Sequence, residues 1–114
     1  MNIKRGEIYL AALDPVIGRE IAKTRPVVVV SNDKNNEISG TVTILPLTSK
    51  NPQTVYPFEI FLSRGSANLP KDSKIKADQI RTLDKSRMIK NIGILDKKDL
   101  DALDKAIKIH LALP

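Results

Sequence analysis

Thr24-Arg25-Pro26-Val27-Val28-Val29-Val30-Ser31-Asn32-Asp33 reads as a loop end, a strand and a turn in immediate succession. The β-branched run Val27 to Val30 fits a pleated sheet, and its unbroken apolar character describes a strand buried on both faces. Pro26 biases Arg25 toward extended geometry, so the loop passes directly into the strand. Before it, Gly6 to Ala12 is another strand-like run, with Ile8 and Leu10 on one face. Asp14-Pro15 and Gly18 punctuate the polar, lysine-bearing loop that joins the two.

Downstream, Asn32 to Gly40 reads as a turn with room for one helical turn, and Thr41 to Leu47 alternates as a third strand ending at Thr48-Ser49. Val55 to Leu62 is a fourth strand after the Asn51-Pro52 loop. Arg64 to Asp72, with Gly65 and Pro70, is a loop. Ser73 to Arg81 is a fifth strand, with Ile75, Ala77 and Gln79 on one face and Lys76, Asp78 and Ile80 on the other. A turn at Asp84 to Arg87 leads to a sixth strand, Met88 to Leu95. The last segment changes period. Asp96 suits an N-cap, Asp99 the first turn, and Leu100, Leu103, Ile107 and Leu111 make one apolar stripe of a helix. Short strands closed by one amphipathic helix describe a small β-barrel, mainly β with a C-terminal helix, as one domain over residues 1–114.

The 114 residues suit one domain and are too few for two. With no cysteine there is no disulfide framework and no thiol nucleophile. The start, MNIKRGEIYL, carries charges where a secretory leader needs an apolar core, and no apolar run is long enough to span a membrane. A soluble, cytoplasmic protein is expected. The net charge of +6 favours polyanionic partners, either nucleic acid or an acidic protein. Aromatics at 4% leave little for base stacking as the main binding device.

Familiar catalytic arrangements are missing. The lone histidine, His110, lies on the flank of the helical stripe and reads as a packing residue. There is no Walker-type glycine loop, and the scattered acids have no EF-hand spacing, so neither a metal nor a cofactor is expected. Arginine, hydroxyl and carboxamide side chains remain. They suffice where the substrate supplies its own nucleophile, as RNA does with its 2′-hydroxyl. The protein then has to align the strand, move protons and stabilise charge on phosphorus, for which a guanidinium beside a hydroxyl is suited.

Four motifs in one order carry a resemblance: Arg5-Gly6-Glu7-Ile8-Tyr9, Thr24 to Asp33, Pro46-Leu47-Thr48-Ser49 and Asp78-Gln79-Ile80-Arg81-Thr82-Leu83-Asp84-Lys85. Together with the closing helix they resemble the MazF/PemK toxins over essentially the whole chain. The resemblance implies an SH3-like β-barrel working as a homodimer. It also implies metal-free cleavage of single-stranded RNA to a cyclic phosphate and a 5′-hydroxyl, blocked by an antitoxin with an acidic tail. Arg25 matches the catalytic arginine, suited to transition-state stabilisation with proton donation as a further option, and Thr48 the catalytic threonine. Gln79 matches a base-holding position and Glu20 an RNA-contacting one. Asp78 is a further candidate, although a regular strand turns it away from Gln79. Ser49, Arg5, Lys23 and Arg81 are candidate RNA contacts.

Each residue also has a plainer reading. Arg25 could anchor the loop, Thr48 could cap the turn after its strand, Gln79 could be a satisfied buried amide, and Glu20 could be merely solvated. The loop Gly18-Arg19-Glu20-Ile21-Ala22-Lys23 departs from the family pattern by its bulky Arg19, so cleavage specificity does not transfer from relatives. Ile21 is expected as an exposed apolar residue on that loop. Two rivals share the barrel: a toxin that poisons gyrase by protein contact, and a non-catalytic nucleic-acid-binding domain. The Arg25 and Thr48 motifs favour the nuclease.

Overall fold

The computed structural model describes residues 2–114. Its strands are β1 (Glu7–Ala12), β2 (Thr24–Val29), β3 (Thr41–Thr48), β4 (Glu59–Leu62), β5 (Ser73–Lys76), β6 (Arg81–Asp84) and β7 (Met88–Ile94). Two α-helices accompany them, α1 (Asp33–Ile38) and α2 (Lys97–His110). The strands form one antiparallel sheet in the order β4-β5-β3-β2-β1-β7, with β6 also paired to β3.

The valine run is buried on both faces, as its composition demands. Val28 joins Ile8, Leu45, Leu47, Leu62 and Ile75 in one cluster, while Val27 and Val29 join Tyr9, Ala11, Leu13 and Ile44 in another. The first cluster draws on β4 at one end of the sheet and on Leu95, just past β7, at the other. The sheet therefore curls around a shared interior, although its two end strands are not paired with each other. The architecture is an open, barrel-like antiparallel sheet with a C-terminal helix.

α2 closes that interior. Asp96 is its N-cap and accepts from the Asp99 N–H at 2.8 Å. Leu103 and Ala106 are buried in the first cluster, and Leu100 and Ile107 pack against it. The expected stripe is one residue too long, because Leu111 lies past the helix end and is 46% exposed. His110 is exposed as well, its ring 6.2 Å from that of Phe58. The turn after Asn32 contains α1, capped by the Asn32 side chain, which accepts from the Asn35 N–H at 2.8 Å. No helix of the described residues is long and apolar enough to cross a membrane.

Two expected strands are shortened. The fourth begins only at Glu59, because Pro57 lacks an N–H and the Glu59 N–H turns back to the Tyr56 carbonyl at 2.9 Å. The fifth ends at Lys76, and Ala77–Gln79 form a 3-10 turn before β6. On β3, Leu47 and Thr48 pair with Ile75 and Lys74, whereas Thr41 to Ile44 pair with β6. The break falls opposite Leu45 and Pro46, and Pro46 has no N–H to give a ladder. The turn takes up extra residues between the two registers and reverses the side-chain alternation. Arg81, which an unbroken strand would place on the face of Ile75, stands instead beside Ile44.

Candidate active site

β2 and β3 pair through Val27↔Pro46, Val28↔Leu45 and Val29↔Ile44. Continuing that antiparallel register past its last pair sets Arg25 opposite Thr48, with Lys74 of β5 the next residue across from Thr48. Opposed residues of an antiparallel sheet point to the same face, so an arginine, a threonine and a lysine stand in one row across three strands. Arg25 and Thr48 line a common cavity of about 230 Å³ with Ser49, Lys71 and Ser73.

Local contacts hold both candidate catalytic groups. Arg25 Nε donates to the Ala22 carbonyl at 3.2 Å, which anchors the loop and uses one of five guanidinium N–H groups. The Thr48 hydroxyl accepts from the Lys50 N–H at 3.1 Å, so it does cap the following turn. That bond occupies a lone pair and leaves the hydroxyl proton free to be donated. For these two residues the plain and the functional readings are compatible.

Loop residues 13–23 run beside the site, with Ile21 in a cavity that Thr48 also lines. Gln79 Oε1 accepts from the Ile21 N–H at 3.2 Å and Gln79 Nε2 donates to the Arg19 carbonyl at 3.4 Å, so the carboxamide braces the loop. Ile21 is not the exposed residue the loop pattern implied. It is half-buried against the second cluster, which needs that loop as a cover. Glu20 is exposed, its carboxylate accepting from the Ile17 N–H at 2.7 Å.

The 3-10 turn brings Asp78 and Gln79 to one cavity of about 230 Å³, together with Glu20, Ile21 and Arg81. The alternation of a regular strand would have separated them. Arg81 Nη1 is enclosed there without a hydrogen-bond partner among the described residues. Arg5 and Lys23 do not join this group. Arg5 Nε donates to the Val30 carbonyl at 3.0 Å and its guanidinium pairs with Asp104 of α2, a tie between the sheet and the helix. Lys23 sits at the loop neck with φ of 69°, its N–H donating to Asp14 Oδ1 at 3.1 Å and its carbonyl accepting from the Leu13 N–H at 2.9 Å.

Sequence reasoning missed the basic floor beside Thr48. Lys50, Lys74 and Lys76 line a cavity of about 220 Å³ with Thr48, Ile21 and Asn51. Below it, Glu59 is buried and receives Lys76 Nζ at 2.7 Å, Lys74 Nζ at 3.2 Å and the Tyr56 N–H at 3.1 Å. The available signal was Lys74-Ile75-Lys76. Two lysines on one face of a strand in a small core demand a carboxylate from the neighbouring strand, and Glu59 pairs with Lys76 across β4 and β5.

Burial pushes the Glu59 carboxyl up, but hydrogen bonds from Lys76, the Tyr56 N–H and Lys74 outweigh it and hold the group below the ordinary glutamate value. A depressed folded value means stability that is complete above the unfolded value and lost as pH falls through the folded one. Glu59→Gln is expected to cost about 3 kcal/mol near neutral pH, since it leaves Lys74 buried without its counter-ion. Urea denaturation across the acid range checks this. The gap between the unsubstituted protein and the variant narrows as pH falls below the ordinary glutamate value.

A curled antiparallel sheet with one C-terminal helix, and an arginine and a threonine opposed across β2 and β3, define the class. The family model for the PemK-like, MazF-like toxin of type II toxin-antitoxin systems matches residues 4–111, and the chain belongs to that family. It is 41% identical over 116 aligned residues to endoribonuclease MazF9 of Mycobacterium tuberculosis, covering 97% of this chain and 98% of that protein. It is 37% identical to endoribonuclease EndoA of Bacillus subtilis, covering 99% of this chain and 97% of the relative. Among solved structures, MazF of Deinococcus radiodurans superposes with a TM-score of 0.84 at 25% identity, covering 99% of each chain. MazE-MazF of the same organism shares the fold, with a TM-score of 0.79 at 21% identity, covering 100% of this chain and 99% of that one.

Proposed function

We propose that this chain is a sequence-specific endoribonuclease toxin that cuts single-stranded RNA without a metal and is neutralised by a cognate antitoxin. The observation that carries the reading is the opposition of Arg25 and Thr48 in one cavity, within a family whose curated relatives are named endoribonucleases. In the reaction the 2′-oxygen attacks phosphorus and the bond to the 5′-oxygen breaks. The 2′-hydroxyl gives its proton to water and the departing oxygen takes one from water, which leaves a 2′,3′-cyclic phosphate and a 5′-hydroxyl. Arg25 supplies forked donors to the non-bridging oxygens as charge grows on them. Thr48 donates its hydroxyl proton to the same group, with its oxygen fixed by the Lys50 N–H.

The neighbouring cavity offers what base recognition needs. Asp78 and Glu20 accept, and Gln79 both donates and accepts. The Arg5 guanidinium is engaged by Val30 and Asp104, whereas the Lys23 side chain is exposed at the loop neck and stays a candidate phosphate contact. The net charge of +6 suits both RNA and an acidic antitoxin tail. A homodimer completes the reading, and Ile89, Ile94, Ile109, Leu111 and Leu113 are exposed apolar side chains that a second copy can cover.

The test is incubation with a long single-stranded RNA in EDTA, with fragment ends mapped by primer extension. Discrete cuts are expected, and Thr48→Ala is expected to slow them about 10²-fold in kcat, with Thr48→Ser restoring much of the loss. No cleavage of several diverse RNAs by the unsubstituted protein would sink the nuclease reading.

A further inference from the structure

We propose that Lys50 and Lys76, anchored from below by Lys74 and Glu59, form a phosphate subsite for the RNA backbone next to the linkage that is cut. The inference rests on the reading of Arg25 and Thr48 as the cleavage site. It starts from an ionic arrangement that the cleavage chemistry does not use. Glu59 has a fully buried side chain, yet it is charged, and each of its oxygens takes a different lysine. Exchanging such a buried cluster for apolar residues of similar size is often neutral or stabilising, so stability alone is a poor reason for it. Its clear consequence is positional.

Lys74 is itself buried, with Nζ bonded to Glu59 and to the Thr54 carbonyl at 2.7 Å. Those bonds fix β5 against the loop after Thr48. Lys76 is partly open to the cavity, held at one side by Glu59 and 3.8 Å from Asp78. Lys50 is exposed and lines the same cavity, and its N–H is the group that orients the Thr48 hydroxyl. Three lysines thus line one cavity beside a single buried carboxylate, with Asp78 close to Lys76. A lysine held by a buried partner has less rotamer entropy left to lose on binding an anion.

Position decides which anion is meant. Thr48 lines both this cavity and the one it shares with Arg25, so the two adjoin at that residue. Arg25, Thr48 and Lys74 occupy neighbouring strands spaced about 4.8 Å apart. An RNA strand with its scissile phosphate between Arg25 and Thr48 therefore carries an adjacent phosphate over Lys50 and Lys76. Lysine ammonium groups suit this task, since they meet phosphate as point charges without demanding one geometry.

The experiment separates binding from cleavage. A single-stranded oligonucleotide containing the cut site, with 2′-deoxyribose at the cut nucleotide, is titrated by fluorescence anisotropy across a salt series. Losing one phosphate contact makes the plot of log affinity against log salt shallower by about 0.7, which is about four-fold weaker binding at 0.15 M salt than a protein matched to it at 1 M. Lys76→Gln and Lys50→Gln are each expected to show this, and Lys76→Arg to keep the original slope. With cleavable RNA, KM should rise in both glutamine variants while kcat moves far less. Glu59→Gln, confirmed folded by thermal melting, should shift KM in the same direction although it touches no RNA. Unchanged slopes in both glutamine variants, with tight binding by the unsubstituted protein, would overturn the subsite alone. Unchanged slopes with a loss of antitoxin affinity would assign the lysines to the protein partner and overturn it equally. No binding by the unsubstituted protein would overturn the RNA reading and the subsite with it.

Discussion

Arg25→Ala is expected to lower kcat for RNA cleavage about 10³-fold, the scale seen when a preorganised donor to a developing anion is removed. The guanidinium is half-buried and, among the described residues, only Nε is engaged, by the Ala22 carbonyl, which leaves the terminal N–H groups for phosphate oxygens. Their fork matches two oxygens at once, so Arg25→Lys, which keeps the charge, should recover only part of the loss and remain about 10²-fold slow. Because the strand around Arg25 is set by Val27 to Val29, the variants should melt close to the unsubstituted protein. Single-turnover rates measured beside thermal melts check both statements. An Arg25→Ala protein that folds and cuts at more than a tenth of the original rate would contradict the assigned role.

The second large effect is on stability. Leu103 is fully buried where α2 meets the first cluster, so Leu103→Ala removes buried methyl groups and leaves a cavity between helix and sheet. The cost should be about 3 kcal/mol, with Tm lower by about 10 °C. Leu111, on the same apparent stripe but 46% exposed, makes the control: Leu111→Ala should change stability by no more than about 0.5 kcal/mol. Denaturant titration at low protein concentration, where any dimer has dissociated, is the measurement. A small effect of Leu103→Ala there would mean that the helix is not held by its own sheet.

Much of this fold is legible in the sequence because local signals agree with tertiary needs. The valine run demands cover on both faces and receives two clusters, and Asp96 with Leu100, Leu103 and Ile107 fixes the helix and its inner side. What fails does so where alternation is interrupted from outside the segment. Ser73 to Arg81 looks continuous on its own, and the reason it breaks lies on another strand, at Pro46. That break is also why Asp78, Gln79 and Arg81 meet in one cavity, which a period-two reading forbids. Leu111 fits the helical period but lies beyond the last turn, and periodicity alone does not show where a helix stops.

The candidate site was legible to unequal depth. Arg25 and Thr48 were found through motif resemblance, and only the pairing of β2 with β3 shows them to be opposed. The charge of Arg5 says nothing about where its long side chain finds a partner. Arg5 finds Asp104, nearly the whole chain away. Lys74 and Lys76 carry no local signal of a site, because their shared carboxylate, Glu59, comes from a different strand.

The most direct test exchanges one atom of the substrate. Once the cut position is mapped, the RNA is remade with 2′-deoxyribose at the nucleotide whose 2′-oxygen would attack, and is incubated with the protein in EDTA. Cleavage should vanish at that linkage while binding is retained, and the unmodified RNA should yield a 2′,3′-cyclic phosphate and a 5′-hydroxyl. Continued cutting at the deoxy position would show that the nucleophile comes from elsewhere, and would contradict the role given to Arg25 and Thr48.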